Sequence, residues 1–336
     1  MEDLVNLTKI IIAVFDGLQP TQIDQSVTPN IYGISEKGCF FENHHPVFPS
    51  VTRINAATMV TGVGPDVHGL PGNMLVARDF DSSRVISAME PELAEIAASG
   101  VPILHTQTLQ EVLNTVGMEY VAIGVGTSGN AYVHNPRGEQ VGGATIHPEF
   151  SIPSKVHLEL DKKYGKWPAQ VIPNTPRYEH AMNIFLNYVL EERDPDVALI
   201  WSSEPDKSQH AYGVGAPESQ RALHEADSQF GRLVERLQVS QKLRDCQVLI
   251  LSDHGYSTII KPINIEEELR NSELEAVLTA RKILIAQNGG SALLYISDSD
   301  RDIAVQVVDW LVSQEWCGTI LASERLGDIE GTIPSS

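Results

Sequence analysis

The sequence predicts an α/β fold: a largely parallel central sheet sandwiched by helices, with an inserted lid segment. Three observations predict it. Short apolar runs recur at 9–15, 120–124, 195–201 and 246–252, each of strand length and bounded by polar or turn-forming residues. Helical patterns lie between them, and strands alternating with helices build parallel sheets. Two of the runs deliver an Asp-bearing turn to their carboxyl ends, Asp16-Gly17 and Asp253-His254-Gly255. Open α/β sheets place ligands at that edge.

A chain of 336 residues can bury a large core. The expectation is one catalytic α/β domain over 1–336, with an insertion at about 130–176. Hydrophobic content of 42% and charged content of 20% suit a soluble globular protein. The formal net charge of -20 excludes a general nucleic-acid binder, which needs a basic footprint. A phosphorylated substrate stays compatible, because bound cations reverse the local field. Cys39, Cys246 and Cys317 are widely spaced and form no CxxC, so a reducing compartment fits. Met1 to Thr8 carries no basic leader pattern, and the run Ile10 to Phe15 is too short to span a bilayer. The expectation is a cytoplasmic protein without a membrane segment. The Asn6-Leu7-Thr8 sequon is then irrelevant.

Taken in order, residues 9–15 form the first strand. A short helical pattern with Ile31 and Ile34 follows, with Thr28 or Asn30 available as a cap. Cys39-Phe40-Phe41 predicts a short strand running into His44-His45-Pro46. Pro49 to Gly62 starts as a loop and continues as a helix closed by Gly62, with Thr52 at or near its N-terminus. Gly62 to Asn73 is a Gly- and Pro-rich loop, of a kind that often carries function. Residues 92–99 and 107–116 predict amphipathic helices. After the strand Tyr120–Gly124 comes a literal GxGxxG, Gly124 to Gly129. The dinucleotide fingerprint needs a helix to open there. The stretch Asn130 to Pro136 predicts none, so no fingerprint is assigned. Pro136 to Pro176 predicts a lid or side wall, with His134, His147 and His157 as mostly exposed polar residues. A helix over 178–192 precedes the strand Pro195–Trp201. The long helix 217–238 carries Leu223, Phe230, Leu233, Val234 and Leu237. In the tail, a polar helix (266–280) leads to two strands around Asn288-Gly289-Gly290, a hairpin signal, and then to a helix over 301–314.

The chemistry collects at strand ends. Asp253 beside His254 is either a ready metal pair or an Asp-Gly-type turn with an incidental His. Asp206 and His210 share one face of a helical turn at i, i+4, as a metal-gripping pair or a surface pair. Thr52 either caps its helix or presents a hydroxyl at the positive end of the helix dipole. Carboxylates and imidazoles without thiolates suit zinc, with manganese or iron possible. Two such ions about 4 Å apart clamp the attacking and leaving oxygens of an in-line displacement at phosphorus.

The combination resembles the alkaline phosphatase superfamily, and within it the type I phosphodiesterase/nucleotide pyrophosphatase branch. The resemblance is carried by Phe15-Asp16-Gly17, Thr28-Pro29-Asn30, Pro49 to Asn55, Val60-Thr61-Gly62, His68-Gly69, Asn73, Glu204-Pro205-Asp206 with His210, and Ser252 to Gly255. It implies an alkaline phosphatase-like fold and a small phosphorylated substrate. It implies one zinc on Asp16, Asp253 and His254, and a second on Asp206 and His210. Thr52 is then the nucleophile bridging both ions, and Asn73 donates to a phosphoryl oxygen. Arg53 and Arg137 are candidates for a substrate carboxylate.

One departure stands out. The family's second metal site takes a further His well after the Asp-His-Gly motif, and no His follows His254. The expectation is an incomplete second site, with the C-terminal part of the family domain missing. The leading function is hydrolysis of phosphodiester or nucleotide pyrophosphate bonds. The alternatives are hydrolysis of a carbon–phosphorus bond, as in phosphonoacetate hydrolase, and a metal-binding remnant without turnover.

Overall fold

The structure is a computed structural model that describes residues 9–240 and 245–335. The leader reading of Met1 to Thr8 and the Asn6 sequon lie outside the described residues. The chain divides into two compact units, one of residues 1–71 with 88–258 and one of residues 72–87 with 259–336.

The larger unit is built on a six-stranded sheet. Its strands are β1 (Ile10–Phe15), β2 (Tyr120–Gly124), β3 (Ala144–Ile146), β4 (Ser151–Ile152), β5 (Val197–Ser202) and β6 (Gln247–Leu251). The spatial order is β4-β3-β2-β5-β1-β6. Every pairing is parallel except that of β3 with the edge strand β4. The expected largely parallel sheet is therefore present. All six residues of central β5 are buried, as a strand covered on both faces requires. Its register sets Phe15 beside Ser202 and Val14 beside Leu251, which brings the ends of β1, β5 and β6 level.

Helices cover both faces. α1 (Pro29–Ser35), α2 (Thr52–Thr61), α3 (Ser128–His134), α4 (Thr175–Ile184), α5 (Asp206–Tyr212) and α6 (Pro217–Val239) matter most for the site. The buried stripe Leu223, Ala226, Phe230 and Leu233 repeats at helical spacing along α6. Phe230 meets Phe15 edge-to-face at 5.9 Å between ring centroids. No helix among the described residues is long and apolar enough to cross a membrane.

Several local expectations are corrected. Residues 39–48 form no strand; Phe40, Phe41 and Phe48 are exposed, so the run has no buried face on which to pair. The chain after the GxGxxG is helical after all, as α3. Thr127 caps it by accepting from Asn130 N–H, and every α3 residue is buried. Burial against α2 outweighs the poor intrinsic propensity of this sequence. A Cβ on Gly129 would lie 1.7 Å from the Ala88 carbonyl oxygen, so close packing of α3 demands that glycine. Residues 130–176 contribute α3, β3 and β4 to the larger unit. His134 and His147 are buried rather than exposed. Tyr120 and Gly126 supply their partners, at 2.8 and 3.2 Å.

The smaller unit holds the expected hairpin, Ile283–Asn288 with Ser291–Ile296. Asn288 accepts from Met74 N–H at 2.9 Å and donates to the Met74 carbonyl at 3.0 Å. That bidentate pair joins 72–87 to the hairpin. The helix Arg301–Val312 packs its Val307 and Leu311 into the same core.

Neither Thr28 nor Asn30 caps α1 with its side chain. The buried Asp227 of α6 does so from across the interface, accepting Asn30 N–H at 3.0 Å, Ile31 N–H at 2.9 Å and Asn30 Nδ2 at 2.8 Å. Burial raises its pKa against the pull of these donors. Removing one buried acceptor that satisfies three donors costs about 2–3 kcal/mol. Asp227→Ala is therefore expected to lower the urea midpoint by a corresponding amount. An unchanged midpoint would remove this contact from the account of α1.

Candidate active site

Three loops meet where β1, β5 and β6 end. Gly17, with φ of +72°, lies between them. Its N–H donates to Asp253 Oδ1 at 3.1 Å, and its carbonyl accepts from Gln209 Nε2 at 3.2 Å. A Cβ there would come within 3.1 Å of Asp206 Cβ. Asp206 N–H in turn donates to the Asp16 carbonyl at 2.9 Å. Main-chain bonds thus fix the spacing of the three carboxylates. The β-turn chemistry of Asp-Gly is what lets the chain approach so closely.

Three of the candidate ligands are brought together. One ligand atom each from Asp16, Asp206 and His254 lie within 4.8 Å of one another, a spacing that could hold a metal ion. His254 Nε2 is 3.6 Å from Asp16 Oδ1, 3.3 Å from Asp253 Oδ2 and 3.2 Å from Thr52 Oγ1. Its Nδ1 is 2.8 Å from the Gly255 carbonyl. That carbonyl can only accept, so Nδ1 carries the proton and Nε2 offers its lone pair to the cluster. Asp16 Oδ2 accepts from Trp201 Nε1 at 3.1 Å. Asp16 Oδ1 and Asp253 Oδ2 are buried without a hydrogen-bond donor among the described residues. Two buried carboxylate oxygens left this way fit a cation.

The electrostatics agree. Burial, then repulsion from Asp253 and Asp206, pushes the Asp16 carboxyl well above its ordinary value. Burial also raises Asp206 and Asp253, with nearby histidines pulling the other way. Their ionised forms therefore oppose folding in the absence of a cation. The stability from these groups is fully present below the ordinary carboxylate range and is lost as pH rises through the raised values.

The expected division into two ligand sets is only partly visible. Asp206 groups with Asp16 and His254 rather than with His210 alone. His210 Nε2 is 3.4 Å from Asp206 Oδ1, its side chain is 69% exposed, and its ring meets Tyr256 edge-on at 5.0 Å. His68 and His134, which could have supplied a further ligand, are engaged elsewhere. His68 pairs with Thr58 at 3.1 Å and His134 with Tyr120 at 2.8 Å. Thr52 is the first residue of α2, with Val51 as the cap residue and no side-chain cap bond. Its hydroxyl faces His254 Nε2 and makes no cap bond, which removes the capping explanation. Asn73 belongs to the smaller unit, directly before the strand Met74–Leu75. Arg53 is buried with its guanidinium on the Met89 sulfur at 2.7 Å, and exposed Arg137 pairs with Glu111 at 2.7 Å.

Sequence reasoning missed Trp201, Gln209 and the work of Glu204. The Glu204 carboxylate is fully buried and accepts Asn174 N–H at 2.8 Å and Ser208 N–H at 3.0 Å. It thereby joins the start of α4 to the start of α5, which carries Asp206 and His210. The one available signal was its place beside Pro205-Asp206.

The family described as type I phosphodiesterase / nucleotide pyrophosphatase matches residues 10–315. A venom phosphodiesterase of Macrovipera lebetinus is 27% identical over 254 residues, covering 74% of this chain and 26% of its own length. A bis(5'-adenosyl)-triphosphatase of Bos taurus is 24% identical, covering 75% of this chain and 48% of its own length. The chain thus spans about a quarter to a half of the lengths of these relatives. Among solved structures, phosphonoacetate hydrolase from Sinorhizobium meliloti 1021 in complex with phosphonoacetate superposes with a TM-score of 0.66 at 17% identity, over 92% of this chain and 73% of that one. Murine ectonucleotide pyrophosphatase/phosphodiesterase 5 gives 0.62 at 16% identity, over 89% and 69%. Both share the fold.

The repulsion among the three carboxylates sets a crossing of signs. At neutral pH with chelator present, Asp16→Asn is expected to raise the thermal midpoint, since it removes one buried charge. With zinc added, the wild type is expected to gain several degrees and the variant little. A variant that melts lower than wild type under both conditions would contradict the repulsion argument.

Proposed function

The chain belongs to the type I phosphodiesterase/nucleotide pyrophosphatase family, and from that membership we propose that it hydrolyses phosphodiester or nucleotide pyrophosphate bonds with Thr52 as nucleophile. The observation that carries the reading is Thr52 Oγ1 at 3.2 Å from His254 Nε2, beside the buried carboxylate cluster. A hydroxyl is too weak an acid to attack unaided, and a cation in the cluster is the available activator.

Asp16, Asp253 and His254 hold one zinc in this reading, and Asp206 with His210 hold a second. Bound zinc supplies Lewis acidity toward the Thr52 hydroxyl and toward the phosphoryl and leaving oxygens. The Thr52 oxygen attacks phosphorus and the bond to the leaving oxygen breaks. Water then releases the phosphoryl group from Thr52. Thr52 sits at the N-terminus of α2, whose dipole would favour negative charge developing there. Asn73 is assigned as a donor to a phosphoryl oxygen on its motif alone. A second ion would find fewer protein ligands, one of them the exposed His210, and would be held more weakly than the first. Three free cysteines accord with a cytoplasmic setting.

Hydrolysis of a carbon–phosphorus bond in a phosphonate acid asks for a cation to receive the carboxylate. Arg53 and Arg137 do not supply it, since Arg53 is buried against Met89 and Arg137 pairs with Glu111. A metal-binding remnant is distinguished by stoichiometry: two zinc per chain with diester turnover supports the enzyme, and less than one without turnover supports the remnant.

Thr52→Ala is expected to lower kcat toward bis-p-nitrophenyl phosphate by at least about 100-fold with little change in KM. Thr52→Ser is expected to keep part of the rate. The thermal midpoint is expected to stay within about 1 °C, because no cap bond is lost. Wild-type turnover in Thr52→Ala would remove Thr52 from the mechanism.

A further inference from the structure

The buried indole of Trp201 holds one oxygen of the Asp16 carboxylate. Trp201 lies on β5, in register with Val14 of β1 on one side and Gly124 of β2 on the other. Partners across a parallel ladder share a face, and so do residues two apart along a strand. Asp16 comes two residues after Val14, and its N–H continues the ladder by donating to the Ser202 carbonyl at 3.1 Å. The register therefore sets the indole and the Asp16 side chain on one face, one row apart. Trp201 Nε1 donates to Asp16 Oδ2 at 3.1 Å. That contact divides the carboxylate. Oδ2 is taken, while Oδ1 has no donor among the described residues and lies 3.6 Å from His254 Nε2.

The terminal torsion of an aspartate is broad, so an unheld carboxylate rolls and exchanges its two oxygens. An indole N–H only donates and carries no charge, so it stops that roll without competing with a cation. The seat of the ring leaves it little freedom. A Cβ on Gly124 would come within 3.1 Å of Trp201 Cβ, and one on Gly126 would lie 3.6 Å from Trp201 Nε1 and 3.0 Å from Asn130 Nδ2. With Gly129 already required against Ala88, all three glycines of the GxGxxG run are packing positions, two of them at the indole. The His134 ring meets Trp201 edge-to-face at 5.5 Å, and the Tyr120 hydroxyl holds His134 at 2.8 Å. The cavity that Trp201 borders with Asn130, His134 and Thr145 measures about 10 Å³, room for no more than about one water. The ring therefore has no space into which to withdraw from Asp16.

We propose that Trp201 is a positioning residue for the metal site, its N–H fixing the roll of the Asp16 carboxylate so that Oδ1 alone is offered to a cation. Gly124 and Gly126 act with it by admitting the ring. The inference rests on Asp16, Asp253 and His254 holding the first zinc. Trp201 touches neither substrate nor metal in this scheme and acts only through Asp16.

Zinc affinity of the full chain, measured by competition with a chromophoric chelator, tests it. Trp201→Phe keeps an aromatic ring and removes the N–H, and is expected to weaken the tighter zinc by about 10- to 100-fold. Replacement of Trp201 by 3-benzothienylalanine keeps the shape of the indole, with sulfur where the N–H was. It is expected to weaken zinc by about the same factor while the metal-free thermal midpoint stays close to wild type. This protein carries the test if Trp201→Phe does not fold. Gly124→Ala keeps the N–H but displaces the ring. It is expected to weaken zinc about tenfold alone and by less than about twofold when added to Trp201→Phe, since both act through one bond. A zinc Kd within about twofold of wild type in the benzothienylalanine protein overturns the assignment, whatever Gly124→Ala does. Wild type that takes up no zinc removes the proposed ligand set and the assignment with it. Weaker zinc in the variants, without diester turnover by wild type, sinks the proposed reaction and keeps the assignment.

Discussion

Three carboxylates sit against one another in a buried corner with too few donors to balance them. Asp16, Asp206 and Asp253 are each driven above their ordinary pKa by burial, and for Asp16 mutual repulsion adds to it. A protein interior tolerates such an arrangement only when something else is secured by it. Folding tolerates it here because the bonds from Asp206 N–H to the Asp16 carbonyl and from Gln209 to the Gly17 carbonyl hold the strand ends together whatever the charge of the carboxylates. The large hydrophobic layer under the sheet, with Phe15 and Phe230 at its centre, supplies the stability that the corner gives up.

The arrangement around that corner follows a division of labour. Neutral donors, Trp201 Nε1 and Gly17 N–H, orient the carboxylates without cancelling their charge. A strong counter-charge in contact would compete with a metal ion for the same oxygens.

Much of this was legible in the sequence. Fully apolar runs such as Ile10–Phe15 have one physical solution, and the Asp-Gly and Asp-His-Gly endings mark where they stop. Gly62 declared the end of α2, and Asn288-Gly289-Gly290 declared the hairpin. The failures share a cause. The stretch Asn130 to His134 has weak helix propensity and becomes helical because α2 buries it. Phe40 and Phe41 look like strand residues and find no neighbour. Glu204 gains its role from Asn174, about thirty residues away in sequence, which no local pattern reports. The cap of α1 comes from Asp227, 197 residues from Asn30. Local chemistry was readable, and long-range partnership was not.

The Gly17 peptide unit has a consequence for how the site meets different ligands. Its N–H is held by one ligand loop and its carbonyl by another, so the floor of the site is a single stiff piece. The carboxylates are thereby held at their spacing before anything binds, so little reorganisation opposes the approach of a cation. The rim is built differently. His210 is mostly exposed, with Asp206 and Tyr256 beside it, and takes no part in the bonds that hold the floor. A change at His210 therefore leaves the spacing of the three carboxylates intact, whereas a side chain at Gly17 would press on Asp206.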